Sequence, residues 1–252
     1  MQRILVAGAT SGIAQAIARR FVAAAERPGE LRFLLAGRDA ARLAAVADDL
    51  RVRGAGEART FAIDFADLGR HQALLDEARE TMGTVDLVLV AWGLLPDQRA
   101  AERDPELALA AWQVNATATV AFLGRAAALL EAQQGGRLAV ISSVAGDRGR
   151  RSNYLYGAAK AAVIACLQGI RARLFPLGIA VTDLRPGPVD TPMTASLRKG
   201  PLVCSAERAG RLAHAAIVRG RDIAYIPGYW RPIMTLIKLL PEGLFKRLNL
   251  AA

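Results

Sequence analysis

Cysteine and histidine are nearly absent, with two of each among 252 residues. Cys166 and Cys204 fall in different predicted elements, and His71 and His214 have no partner at ligand spacing. Neither a disulfide framework nor a zinc site is therefore supported. The thiols are expected to be free and at least half-buried, and the chemistry is expected to need no metal and no imidazole. No apolar run is expected to approach the about 20 residues of a membrane-spanning helix. No charged stretch with a cleavage site precedes the first apolar segment, Arg3-Ile4-Leu5-Val6-Ala7, which predicts a cytoplasmic location. Lysine is scarce as well. The formal charge of +10 suits nucleic acid, an anionic membrane or a phosphorylated substrate, but only four of the 33 cationic residues are lysine and the arginines are scattered. A dedicated nucleic-acid patch is not indicated.

What is present is an alternation. Short apolar runs near 3–7, 31–36, 58–62, 85–91, 137–142, 179–184 and 222–226 are separated by segments of helical period, such as Leu43, Val46, Ala47 and Leu50. This is how a doubly wound parallel α/β sheet of about seven strands reads, with helices on both faces. The length suits one domain over 1–252. Two stretches fall outside the alternation. Residues 188–215 follow the sixth strand, where a substrate lid is expected, and 228–252 form an amphipathic tail.

The first strand runs into Gly8-Ala9-Thr10-Ser11-Gly12-Ile13-Ala14 and then a helical segment. Glycine permits close backbone approach, and a helix N-terminus offers free N–H groups to a pyrophosphate, so Gly8, Thr10, Ser11, Gly12 and Ile13 are candidate dinucleotide contacts. The second strand ends in Ala36-Gly37-Arg38-Asp39. Arg38 argues for a 2′-phosphate, hence NADP with NAD as the alternative, while Asp39 is free to cap the next helix.

Ser143 ends the fifth strand, Tyr156 lies thirteen positions later, and Lys160 follows at a spacing of four, which puts Tyr156 and Lys160 on one helix face. With the Gly8 loop, these residues resemble the short-chain dehydrogenase/reductase family over essentially the whole chain. The resemblance implies a Rossmann-type oxidoreductase in which Tyr156 donates a proton to a carbonyl. Lys160 lowers the phenol's pKa and binds the nicotinamide ribose, Ser143 holds the carbonyl oxygen, and Asn115 helps hold a relay water. It further implies cofactor contacts from Asp64, Phe65, Ala91, Gly93, Pro186, Gly187, Val189 and Thr191, and a homo-oligomer. A phenol is a poor acid–base catalyst near neutrality unless a cation favours its ionised form, which agrees with the Tyr156–Lys160 pairing. One departure stands out. The usual Asn-Asn-Ala-Gly is replaced by Val90-Ala91-Trp92-Gly93, which removes two asparagines expected to steady the sheet and puts Trp92 near the cofactor.

The segments Ala91–Leu95, Gly146–Tyr154, Met193–Leu202 and Phe245–Leu248 look like the decaprenylphosphoryl-2-keto-ribose reductase subgroup. That likeness implies reduction of a keto-sugar on a polyprenyl phosphate, beside a flavin oxidase, and usually with NADH. Arg148, Arg150 and Arg151 lie between Ser143 and Tyr156, where guanidinium groups suit a phosphate, and a solvated loop is the alternative. Arg198 and Lys199 are further candidates. In the tail, Trp230, Ile233, Met234, Ile237 and Leu240 recur at helical spacing among Arg231 and Lys238. This suits peripheral contact at the inner membrane face, or packing on the core or a partner subunit. Another lipophilic ketone (3-oxoacyl, sphingoid or steroid) remains open as the substrate. A non-catalytic dinucleotide-binding module is opposed by the complete Ser143, Tyr156, Lys160 and Asn115 set.

Overall fold

The computed structural model describes residues 1–195 and 200–248. In chain order the strands are β1 (Gln2–Ala7), β2 (Leu31–Gly37), β3 (Glu57–Ala62), β4 (Leu87–Val90), β5 (Arg137–Ile141), β6 (Ala180–Pro186), β7 (Val189–Asp190), β8 (Cys204–Ser205) and β9 (Ile223–Ile226). Seven of them form one parallel sheet in the order β3-β2-β1-β4-β5-β6-β9. These are the seven expected strands, each within two residues of its expected bounds. They read clearly because the inner ones are covered on both faces: every residue of β4 is buried, and so is all of β2 except Arg32.

The helices are α1 (Gly12–Ala24), α2 (Ala40–Val52), α3 (His71–Met82), α4 (Gln98–Ala101), α5 (Pro105–Trp112), α6 (Ala118–Ala132), α7 (Tyr154–Leu174), α8 (Ala206–Val218), α9 (Trp230–Leu239) and α10 (Glu242–Phe245). One face of the sheet is covered by α1, α2 and α8 through residues such as Ile17, Leu43, Leu50 and Ala213. The other is covered by α3, α6 and α7 through Leu74, Phe122, Leu123, Val163 and Leu167. Side-chain caps start several helices where the chain leaves a strand or loop. Asp39, Asp97, Asp104 and Ser205 each accept a backbone N–H of the first turn.

Two expectations change, and an alternative left open for the tail narrows. Residues 206–215 are not lid but the body of α8, whose Ala209, Gly210, Ala213, Ala216 and Ile217 are buried against α1. The described residues left from that stretch are 188–195 and 200–205, in which β7 and β8 pair; Arg198 and Lys199 lie outside the described residues. Second, a sufficiently long apolar helix does exist. Pro105–Ala132 has 28 residues and a mean hydropathy of 1.3 in its most apolar window; Phe122, Leu123, Ala126, Ala127 and Leu130 of its second half pack under α3 and α7, while Leu107, Leu109, Trp112 and Val120 are exposed. The tail packs on the core. Trp230 and Met234 of α9 meet Val144, and Phe245 is buried, while Leu236 and Leu239 face outward.

The α1–α8 contact depends on Gly210, where a Cβ would lie 2.5 Å from the Ala16 Cβ and 2.6 Å from the Ala16 backbone carbon. Gly210→Val must push α8 off α1, and a loss of about 1–3 kcal/mol is expected, read as a lowered urea midpoint with an unchanged m-value.

Candidate active site

The strand order reverses between β1 and β4, and a crevice opens there beyond the carboxyl ends of the strands. Gly8 makes the crevice possible. Its φ is +93°, and a Cβ at that position would lie 2.4 Å from the Trp92 nitrogen and 2.7 Å from the Ala91 carbonyl carbon, so only glycine lets the two strand ends meet. Gly8, Thr10, Ser11, Gly12, Ile13, Arg38, Phe65, Ala91, Gly93 and Thr191 line this groove, as do Trp92, Arg42, Pro192 and Met193.

Above it stands the N-terminus of α1, with no acidic residue in its first turn and no side-chain cap from Ser11. Its first N–H groups have no helical partner and suit an anion. At the far end Arg38 and Arg42 both line the groove, while Asp39 is committed to the Arg42 backbone N–H at 3.0 Å. The charge offered there is positive. Gly93 leaves a further cradle, since a Cβ there would stand 3.0 Å from Asn115 Oδ1 and 3.6 Å from Lys160 Nζ. These residues fit a dinucleotide carrying an additional phosphate. Asp64 is not among the groove-lining residues; it is exposed and its carboxylate accepts the Ala66 N–H at 3.0 Å.

Trp92, at the place of the missing asparagines, is held by its neighbours. Its ring stacks on Phe65 at 4.0 Å and meets Phe122 edge-on, and its Nε1–H donates to the Val114 carbonyl at 3.2 Å. Val114 and Asn115 belong to a π-helical turn, Gln113–Thr117, set between α5 and α6. Such turns widen a helix by one residue and frequently mark functional sites. Asn115 is 1% exposed, and its side chain is held by the backbone of Leu94: Oδ1 accepts the Leu94 N–H at 2.9 Å and Nδ2 donates to the Leu94 carbonyl at 2.8 Å.

Ser143 follows β5 and opens the short turn Val144–Asp147; its Oγ accepts the Ala145 N–H at 3.0 Å, leaving the hydroxyl hydrogen available. Tyr156 and Lys160 lie in the first two turns of α7. Lys160 is buried, donates to the Ile141 carbonyl at 3.2 Å, and has its Nζ 5.7 Å from the centre of the Tyr156 ring. Burial pushes its ammonium down to about 8, against the pull of the Asp183 carboxylate. Burial pushes the Tyr156 phenol up to about 12, opposed by the Ser143 hydroxyl.

Beside Tyr156 and Ser143 lies a narrow cavity of about 110 Å³, reached also by Pro186, Gly187, Val189 and Thr191, with apolar walls from Leu95, Val144 and Met193. The arginine cluster divides around it. Arg150 lines the cavity and its Nε is buried with no partner; Asn153 also lines it with an unpartnered buried Oδ1. Arg151 is exposed and lines a separate groove with Phe245, Lys246 and Arg247. Arg148 turns away altogether. Its guanidinium donates to the carbonyls of Ile237 (2.7 Å) and Leu240 (2.6 Å), pairs with Glu242 at 2.9 Å and lies 3.9 Å over the Phe245 ring. It holds the tail and is not placed to grip a substrate phosphate.

Sequence reasoning missed Arg42, Asn153, and a buried pair on β6, Asp183 and Arg185. Arg42 was signalled by its spacing of four from Arg38, and Asp183 and Arg185 by charge inside an apolar strand. Asn153 carried no signal beyond its place before a helix.

A profile described as short chain dehydrogenase matches residues 2–202. An uncharacterized oxidoreductase of Mycobacterium tuberculosis (strain ATCC 25618 / H37Rv) is 34% identical over 245 residues, covering 97% of this chain and 96% of the relative. Another, from Streptomyces coelicolor, is 36% identical over 245 residues, with 97% and 95% covered. Among solved structures, a short-chain dehydrogenase from Sphingobium yanoikuyae described as in complex with NADPH aligns at a TM-score of 0.80 with 22% identity, covering all of this chain and 98% of that one. A short-chain type dehydrogenase/reductase from Mycobacterium marinum gives 0.81 at 20% identity, with 91% and 95% covered. The chain belongs to the short chain dehydrogenase family and is an NAD(P)-dependent oxidoreductase of that kind.

Arg148→Ala is expected to raise amide hydrogen exchange across residues 230–248 by about tenfold or more, while exchange in β1 and β4 stays as in the wild type.

Proposed function

We propose that the protein reduces a ketone with NADPH, and that the ketone carries oxygen-rich or anionic groups, a keto-sugar on a polyprenyl phosphate being the favoured class. The observation that carries this reading is Arg150, half-buried, whose Nε is buried and has no partner, in the same cavity as Tyr156 and Ser143. An unpaired buried cation is costly, and a substrate anion or hydroxyl placed against it relieves that cost. Asn153 Oδ1 adds an acceptor suited to a substrate hydroxyl. NADPH is favoured over NADH by Arg38 and Arg42 and by the engagement of Asp39 in capping.

When bound, the dinucleotide supplies the hydride. Tyr156, protonated at neutral pH, donates its proton to the carbonyl oxygen, and the Ser143 hydroxyl donates a hydrogen bond to the same atom. The Lys160 ammonium stabilises the phenolate left behind, and Asn115 fixes the Gly93–Leu94 turn on which the nicotinamide would rest. The apolar walls from Leu95, Val144 and Met193 support a second reading, a lipophilic ketone of 3-oxoacyl, sphingoid or steroid type. Outward Leu236, Leu239 and Leu244, with Arg231, Lys238 and Lys246 among them, support contact with the anionic inner face of a membrane. A flavin oxidase would supply the keto-sugar, and a homo-oligomer is the expected assembly.

The test is single-turnover oxidation of NADPH, and separately NADH, with a polyprenyl-phosphate keto-pentose and its dephosphorylated counterpart. Tyr156→Phe should lower the rate by about 10²-fold or more without loss of NADPH binding. Reduction should fall as pH rises through about 8, because the Lys160 cation is lost there. Arg38→Ala should weaken NADPH by about 10–100-fold and leave NADH unchanged. Arg150→Ala should raise KM for the phosphorylated ketone by about tenfold or more, at nearly constant kcat. If it raises KM equally for the dephosphorylated ketone, the phosphate part of the reading is withdrawn.

A further inference from the structure

Directly behind Ser143 lies a cluster of charge that the reaction described above does not use. Asp183 and Arg185 sit two apart on β6, on the same face of the sheet, with side chains 1% and 6% exposed, and the Arg185 Nε–H donates to Asp183 Oδ2 at 2.7 Å. A guanidinium N–H of Arg185 also donates to Asp147 Oδ1 at 2.6 Å, and the Tyr225 hydroxyl of β9 donates to Asp147 Oδ2 at 2.7 Å. Ser142 Oγ donates to Asp183 and to the Leu184 carbonyl. Ser142 and Asp147 are the two ends of the turn that carries Ser143, so both anchors of the catalytic serine end on one ion pair.

Counting charge sharpens the point. Two carboxylates and one guanidinium leave a net of −1, and the Lys160 ammonium neutralises it, with Asp183 acting on Lys160 through space. From α7 itself Lys160 faces the neutral Tyr156, from the π turn the neutral Asn115, and from β5 the Ile141 carbonyl. Asp183 on β6 is the carboxylate that reaches this end of β5: it accepts from Ser142 Oγ, the residue next to Ile141, whose carbonyl holds Lys160 Nζ, with Arg185 and Asp147 beyond. Replacing a buried ion pair by apolar residues is often neutral for stability, so such a pair is better explained by what it positions.

We infer that Asp183, Arg185 and Asp147 are positioning residues: they pin both ends of the Ser143 turn, and Asp183 supplies the negative charge that faces the Lys160 ammonium. The inference rests on the reductase reading. Its first readout does not, because it is taken on the protein without substrate. The chain has four lysines, so ¹³C-lysine-labelled protein gives four Cε resonances to follow with pH, and that of Lys160 is assigned by its loss in Lys160→Met.

In Asp183→Asn the Lys160 resonance should titrate at lower pH than in the wild type. The rate of ketone reduction should fall by about tenfold or more, with its alkaline limb moved to lower pH in step. A purely structural role would leave the Lys160 titration where it was, and an unmoved titration in folded Asp183→Asn overturns the inference. If Asp183→Asn does not fold, Tyr225→Phe decides. It removes one hydroxyl from Asp147 and no charge, and a kcat lowered by about 2–10-fold with unchanged NADPH affinity supports the inference. Wild-type kcat in that variant overturns it. A wild type that reduces no ketone removes the reductase reading and leaves the Asp183–Lys160 coupling to be decided by the titration.

Discussion

A sheet of parallel strands covered on both faces leaves polar groups little room except at the edge where the strands end, and here that edge carries a cation in the interior. Lys160 is buried at the end of β5, held by the Ile141 carbonyl, and the adjacent Ser142 bonds to Asp183. An ammonium out of water demands hydrogen-bond acceptors and a counter-charge, and the surroundings are arranged to provide them. Gly93 stays free of a side chain beside Nζ, α7 begins close enough for Tyr156 to share the same face, and β6 carries its acid beside a buried arginine. The dinucleotide groove and the substrate cavity meet along this line, both reaching Ile13, Thr191 and Met193.

Much of this was legible because local physics and tertiary structure agree. Inner strands such as Leu87–Val90 are continuous apolar runs, and a run of that kind has few alternatives to a buried parallel strand. The Gly8 turn, the Ser143, Tyr156 and Lys160 spacing, and Arg38 at the end of β2 each follow from positions a few residues apart. The helix α8 was missed and read as lid, although Ala209, Ala213, Ala216 and Ile217 recur at helical spacing, because small apolar residues mark a close helix–helix contact less loudly than leucines mark a core face.

What escaped the sequence depends on residues brought together from afar. Arg148 stands beside Arg150 and Arg151 as one of three similar charges, and nothing local separates them. One holds the tail, one lines the substrate cavity and one is exposed, because Ile237, Leu240 and Glu242 arrive from about 90 residues downstream. Asp183 gains its meaning only when Lys160 and Ser142 are placed against it, and Trp92 only when Phe65 and Val114 are.

The grip of Arg148 on the end of α9 also ties distant parts of the chain together. The carbonyls it holds lie 89 and 92 positions along the chain, so this contact closes a large loop. Since α9 packs through Trp230 and Met234 on Val144, next to Ser143, the turn that carries Ser143 rests on a segment far downstream of it. A change confined to α9 can therefore be felt at Ser143 without any change in the residues that line the nucleotide groove.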